Sequence, residues 1–268
     1  MSIKLSVIGG GVMGEALLSR LIYQQIYAPT EILVSDPLPS RRDFLAQSYG
    51  VQVTNENRDA LVATEILLLA IKPQIFDPVT ADLVTLEQSP LPLIASILAG
   101  ISLAKLELAF PEIPIIRAMP NTPATVGAGV TAIAPGQYAK PMHMTLAKQM
   151  FEAVGTVVEV PERLMDAVTG LSGSGPGYIA IVIEALTDGG VAAGLPRAIA
   201  QQLALQTVRG TAELLHESGL HPATLKDQVT SPGGTTIAGI ACLEKAGLRT
   251  ALIEAVRTAC QRSQELGE

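Results

Sequence analysis

Two hydrophobic periodicities, changing at Pro161, restrict this chain to a small set of folds. Up to about residue 160, short apolar runs at 3–8, 31–35, 51–53, 66–71, 92–98 and 113–118 alternate with helically spaced stretches such as 12–23, 40–49 and 102–110. Short, aliphatic runs of this kind suit strands buried on both faces, and their alternation with helices implies a mostly parallel sheet. Ser102 stands where the third of those helices needs an N-cap. Two later runs, 128–134 and 154–160, extend the sheet edge. Beyond Pro161 the spacing is helical throughout, and helices are predicted at 162–170, 176–193, 197–218, 222–229, 235–246 and 248–265. The expected architecture is therefore α/β, with an N-terminal Rossmann doubly wound sheet over 1–160 and an all-α C-terminal domain over 161–268. The two meet without a long linker.

Gly9, Gly11 and Gly14 fall as GxGxxG between the first predicted strand and the first predicted helix. In that setting the first glycine permits a tight turn, the second lets a pyrophosphate reach the backbone, and the third lets helix pack closely on strand. Ser35 and Asp36 close the second strand, Asp36 lying 22 residues beyond Gly14, where an acidic group hydrogen-bonds the adenosine ribose of NAD. Arg41 and Arg42 follow at the mouth of the next helix and suit the 2′-phosphate of NADP. The two signals oppose each other; the balance leans to NADP(H) and leaves NAD(H) open.

After the fourth strand, Ala70-Ile71-Lys72-Pro73 sets a cation and a rigid turn at the carboxyl edge of the sheet, where ligands bind in doubly wound folds. Lys72 either reaches a ribose hydroxyl or phosphate there or is a solvated surface lysine. Met119-Pro120-Asn121-Thr122-Pro123 forms a second rigid loop, in which Asn121 can bond a ribose or carboxamide, or simply cap a turn.

In the helical half, Thr230–Thr236 reads TSPGGTT. Pro232 fixes a turn, Gly233 and Gly234 permit positive φ or close approach, and the threonines stand where a helix begins. Free backbone N–H groups and the positive end of a helix dipole suit a carboxylate at such a place. An ordinary interhelical turn is the plainer alternative.

Composition narrows the function classes. A formal charge of −7 and a pI near 5.1, with no basic run, argue against nucleic acid. Mean hydropathy is +0.38, but the apolar stretch 177–193 is interrupted by Glu184, Asp188, Gly189 and Gly190, so no membrane span is expected. With 48% hydrophobic residues, 3% aromatics and no tryptophan, the surplus aliphatic surface is expected in a subunit interface. Cys242 and Cys260 form no disulfide framework, and His143, His216 and His221 share no ligand spacing, so no metal is expected. The cysteine usage makes a cytoplasmic, reduced setting the expectation, and the run Ile3–Ile8 is too short for a signal peptide.

Taken together, IGGGVMG, AIKPQ, RAMPNTPA, DAVTGLSGSGP and LKDQVTSPGGTTIAGIACLE resemble pyrroline-5-carboxylate reductase, in family order across nearly the whole chain. The resemblance implies reduction of 1-pyrroline-5-carboxylate to L-proline by NAD(P)H, the last step of proline synthesis. It implies that the helical domain dimerises, that active sites are shared between subunits, and that dimers assemble further into decamers. It assigns cofactor binding to Gly9, Gly11, Val12, Met13, Gly14, Ser35, Asp36, Arg41, Ala70, Lys72, Pro73, Met119 and Asn121, with Met119 bordering the nicotinamide. Ser231, Gly234, Thr235 and Thr236 are assigned to the substrate carboxylate and ring nitrogen, Thr236 contacting the imine. Asp36 departs from the neutral or phosphate-friendly residue of many relatives.

A protonated cyclic imine already carries the charge that attracts hydride, so the site needs no strong acid. That accords with the lack of histidine, cysteine or paired carboxylates in 172–177 and 230–236. The loop Ser172–Pro176 is expected to admit close packing ahead of an apolar helix, and Glu184 and Asp188 to face solvent. A β-hydroxyacid dehydrogenase would place a catalytic lysine on that helix, whereas Ile179 and Ile181 stand here. A non-catalytic nucleotide-binding regulator is the third reading.

Overall fold

The uninterrupted aliphatic runs form the interior strands of the computed structural model, which describes residues 2–83 and 92–267. Among the described residues one eight-stranded sheet contains β1 (Leu5–Ile8), β2 (Ile32–Ser35), β3 (Gln52–Thr54), β4 (Ile66–Leu69), β5 (Leu93–Ser96), β6 (Ile115–Met119), β7 (Gly129–Pro135) and β8 (Gly155–Glu159). Their order is β3-β2-β1-β4-β5-β6-β7-β8, parallel through β6, with β7 antiparallel to β6 and β8 parallel to β7. Ile8 lies opposite both Ser35 and Leu69, and Leu69 opposite Ser96, so these strands end along one edge. Between β1 and β4 the strand order reverses direction, which opens a crevice at the carboxyl edge.

Helices cover both faces of the sheet. α1 (Val12–Tyr23), α2 (Pro39–Tyr49) and α5 (Pro141–Glu152) supply Leu17, Leu21, Leu45 and Phe151 to one buried layer. α3 (Phe76–Leu83) and α4 (Leu103–Ala109) supply Phe76, Leu83 and Leu106 to the other. Each fully buried leucine or phenylalanine contributes about 1.5–3 kcal/mol. Ser102 caps α4 as expected, its Oγ accepting the Lys105 N–H at 3.2 Å. α3 and α5 lie outside the predicted helices because each carries a proline early, Pro78 and Pro141, which reads as a breaker. In a first turn the missing N–H has no helical partner to lose.

The segment predicted as one helix over 162–170 divides into a 3₁₀ turn (Glu162–Leu164), a single α-turn α6 (Met165–Val168) and a π-helical turn (Thr169–Gly173). Ser172–Pro176 is therefore not a loop, since the π turn runs almost directly into α7 (Gly175–Ala192). Hydroxyls accommodate the wider turn: Thr169 donates to the Met165 carbonyl at 2.9 Å and Ser172 to that of Val168 at 3.0 Å. The Ser174 N–H reaches back five residues to the Thr169 carbonyl at 2.8 Å.

Contacts divide the chain into two compact units. The first comprises the residues up to Ser174 together with those from Thr258 on, and the second is Gly175–Arg257. The expected boundary after 160 thus falls within the first unit. There Ser263 donates to Asp166 Oδ1 at 2.7 Å. The second unit consists of α7, α8 (Arg197–Ser218), α9 (Pro222–Gln228), α10 (Thr235–Lys245) and the start of α11 (Leu248–Gly267). Gly190 lets α7 lie close on α8, because an added Cβ would come within 3.0 Å of Ala200 Cβ. Ile179, Ile181, Leu203, Leu205 and Ile253 of these helices remain exposed. Among the described residues no helix is long and apolar enough to cross a membrane.

Candidate active site

The three fingerprint glycines have different physical reasons. Gly9 has φ +101°, and a Cβ there would lie 2.6 Å from the Ala70 carbonyl oxygen, so the β1 and β4 turns touch across the crevice. A Cβ on Gly14 would fall on the Gly9 carbonyl oxygen. Nothing lies within 4 Å of the Cβ position of Gly11, which is exposed and stands at the N-cap of α1 without any side-chain cap. Two glycines are required by the chain's own packing. Gly11 is open toward solvent beside uncapped amides, which fits an approaching pyrophosphate. Val12 is exposed, whereas Met13 is half-buried and packs against the core.

At the end of β2 the polar groups face inward. Asp36 is buried, and its Oδ2 accepts the Gly10 N–H while Oδ1 accepts that of Leu38, both at 2.9 Å. Ser35 is buried and donates its hydroxyl to Asn57 Oδ1 at 2.8 Å. Arg42 donates to the Asp36 carbonyl at 2.7 Å. Arg41 is bound to the Gly10 carbonyl through Nε and to Glu15 through Nη2, and its guanidinium lies 5.0 Å from the Phe44 ring centre. Tyr49 donates to the other Glu15 oxygen at 2.6 Å. Burial acts to raise the Glu15 pKa, but hydrogen bonds from Tyr49 and Arg41, with the Arg41 charge, outweigh it and hold the carboxyl below its ordinary value. The same bond to Glu15 pushes the Tyr49 phenol up. Glu15, Tyr49 and Asn57 escaped the sequence reading, because no local spacing links a helix residue to partners tens of positions away.

Farther along the same edge, Lys72 is exposed and has no carboxylate partner among the described residues. Pro73 opens a 3₁₀ turn directly after it. Asn121 is buried and engaged at both ends of its amide: Oδ1 accepts the Val130 N–H at 2.9 Å, and Nδ2 donates to the Ser172 carbonyl at 3.1 Å. It ties the β6 loop to β7 and to the π turn. Met119 packs beside that turn, since a Cβ on Gly173 would lie 2.7 Å from Met119 Cε.

In the second unit, Gly233 has φ +68° and Gly234 is the N-cap of α10, with Thr235 and Thr236 as its first residues. A Cβ on Gly234 would strike Ser231 Oγ. No side chain caps this helix, and the hydroxyls of Ser231, Thr235 and Thr236 bond no other described residue. The threonines are therefore not capping groups; Thr235 is exposed and Thr236 half-buried in the first turn of α10. A separate cavity of about 380 Å³ is lined by Ala180, Ile183, Glu184, Thr187, Arg197 and Gln201 and includes none of these residues. Arg197 of that lining pairs with Asp188 at 2.8 Å. No cluster of three or more metal-ligating side chains occurs among the described residues.

Residues 162–266 match the family model "pyrroline-5-carboxylate reductase dimerisation", and residues 4–100 match "NADP oxidoreductase coenzyme F420-dependent". A pyrroline-5-carboxylate reductase of Synechocystis sp. is 62% identical over 268 residues, covering 100% of both chains. A solved pyrroline-5-carboxylate reductase of Coxiella burnetii superposes with a TM-score of 0.90 at 33% identity over 100% of both chains. That of Plasmodium falciparum, solved with NADP bound, superposes with a TM-score of 0.89 at 31% identity, covering 99% of this chain and 98% of its own. Full-length identity, the dimerisation-domain match and the shared architecture agree, and the chain belongs to the pyrroline-5-carboxylate reductase family.

Proposed function

We propose that this protein reduces 1-pyrroline-5-carboxylate to L-proline with NADPH, NADH serving as an alternative donor, in the last step of proline biosynthesis. The observation that carries the substrate reading is the start of α10, which no side chain caps, and where the hydroxyls of Ser231, Thr235 and Thr236 have no partner among the described residues. A compact monoanion fits that start, because helix N-terminal N–H groups stabilise negative charge without a cation.

Gly9, Gly11, Val12, Met13 and Gly14 would hold the pyrophosphate on backbone. Ser35, Asp36 and Arg41 shape the adenosine end, and Ala70, Lys72, Pro73, Met119 and Asn121 the remaining edge. When bound, the reduced nicotinamide supplies hydride to the electrophilic imine carbon. Ser231, Gly234 and Thr235 hold the carboxylate, which fixes the ring, and the Thr236 hydroxyl orients the imine nitrogen. Threonine is too weak an acid to drive protonation, so Thr236 positions a substrate that arrives as the iminium or takes its proton from water.

Residues 161–268 are proposed as the functional dimerisation and substrate domain, with dimers assembling further, up to decamers, in the cytoplasm. A β-hydroxyacid dehydrogenase is not favoured, since Ile179 and Ile181 offer no acid for a carbonyl acceptor. A steady-state assay with 1-pyrroline-5-carboxylate and each reduced nicotinamide tests the proposal. Proline formation coupled to nucleotide oxidation is expected; nucleotide binding with no turnover would favour a regulator instead.

A further inference from the structure

We propose that Glu15 sets the preference between NADPH and NADH by competing with the nucleotide's 2′-phosphate for the Arg41 guanidinium. The proposal rests on the dinucleotide reading given above. At the β2 end of the crevice the nearby cations are Arg41 and Arg42, and both are already engaged by the chain. Arg42 donates to the Asp36 carbonyl at 2.7 Å. Arg41 is held on two sides, by the Gly10 carbonyl at Nε and by the Glu15 carboxylate at Nη2, and its guanidinium lies over the Phe44 ring. Glu15 is itself fixed by Tyr49, whose hydroxyl donates to Oε1 at 2.6 Å. Glu15 and Arg41 are about three-quarters buried, with side-chain exposures of 26% and 24%, so water screens their attraction only partly.

A 2′-phosphate meeting Arg41 must therefore share or displace an ion pair already made. Asp36 accepts the Gly10 N–H at one carboxylate oxygen and that of Leu38 at the other, and each oxygen keeps a lone pair for a ribose 2′-hydroxyl. The ribose signal stays open while the phosphate signal meets a competitor, and the expected result is use of both donors, with the bias set at Arg41. Glu15 can move this balance through its carboxylate, whose partners are Arg41 and Tyr49.

The test measures Kd for NADPH, NADH, 2′,5′-ADP and 5′-AMP by calorimetry on the full chain and on Glu15→Gln, which keeps the shape and an acceptor for Tyr49. Removing the charge is expected to tighten NADPH and 2′,5′-ADP by about tenfold and to leave NADH and 5′-AMP within twofold, as loss of one charge-assisted competitor requires. In Glu15→Gln/Arg41→Gln that gain should vanish. Tyr49→Phe, which frees one Glu15 oxygen while retaining the fold's packing, should shift the phosphate-bearing ligands alone. Equal changes for both ligand pairs, or no change in any variant, would overturn the proposal. Wild-type protein that binds neither dinucleotide would overturn the cofactor reading itself, a distinct result.

Discussion

The Gly10 amide and Asp36 are joined by a buried hydrogen bond, 2.9 Å from N to Oδ2, that ties the glycine turn after β1 to the end of β2. The carboxylate that a fingerprint reading assigns to the ribose is thus also a brace for the pyrophosphate turn. Asp36→Ala should leave two backbone donors, those of Gly10 and Leu38, without their acceptor and destabilise the fold by about 1–3 kcal/mol for the buried one. Both dinucleotides should weaken together. Urea unfolding and nucleotide titration of the variant check this; loss confined to NADH would instead make ribose recognition its main role.

Gly14→Ala should be far more harmful than Gly11→Ala. The first places a methyl group on the Gly9 carbonyl oxygen, so α1 must lift from β1, while the second meets nothing within 4 Å. Overpacking of this kind costs about 1–3 kcal/mol or more. The expected pattern is a lowered Tm for Gly14→Ala, and a near-native Tm with weakened nucleotide binding for Gly11→Ala.

Much of this was legible because it is local. Continuous aliphatic runs marked the strands from β1 to β8, and the glycine spacing marked the turn whose positive φ at Gly9 only that residue tolerates. The TSPGGTT segment marked the start of α10 to the residue. What stayed hidden depends on partners far apart in sequence. Asn121 looks like a cofactor group in its own loop, yet Val130 and Ser172 take both ends of its amide. Glu15 looks like a solvated helix residue until Arg41 and Tyr49 fold against it. The π turn at Thr169–Gly173 reads in sequence as the end of a helix and a loop, because a five-residue back-bond leaves no periodic signature.

The pH dependence of stability should carry a contribution from His143. Burial, then the Lys140 charge, lower its pKa from an ordinary value of 6.5, and its neutral Nδ1 accepts the Lys140 N–H at 3.0 Å at the start of α5. The unfolded chain binds this proton more readily, so the contribution is present above pH 6.5 and is lost as pH falls through the lower folded value. Thermal melts between about pH 7 and 5 should fall less steeply for His143→Gln than for the wild type.

Ile181, Leu203 and Ile253 are exposed on the helices of the dimerisation domain. Burying such residues between subunits contributes about 1.5–3 kcal/mol each, and a carboxylate in their place opposes it strongly. Ile253→Asp should shift sedimentation toward monomer and lower activity in parallel, with activity partly recovered at high protein concentration.

At the start of α10, which no side chain caps, the Thr236 hydroxyl has no partner among the described residues. The decisive measurement is turnover of 1-pyrroline-5-carboxylate by Thr236→Ala, alongside its NADPH affinity measured separately. Loss of one positioned donor predicts a fall in turnover of about 10²-fold with nucleotide affinity unchanged. Turnover equal to that of the wild type would contradict the assignment of this helix start to the imine.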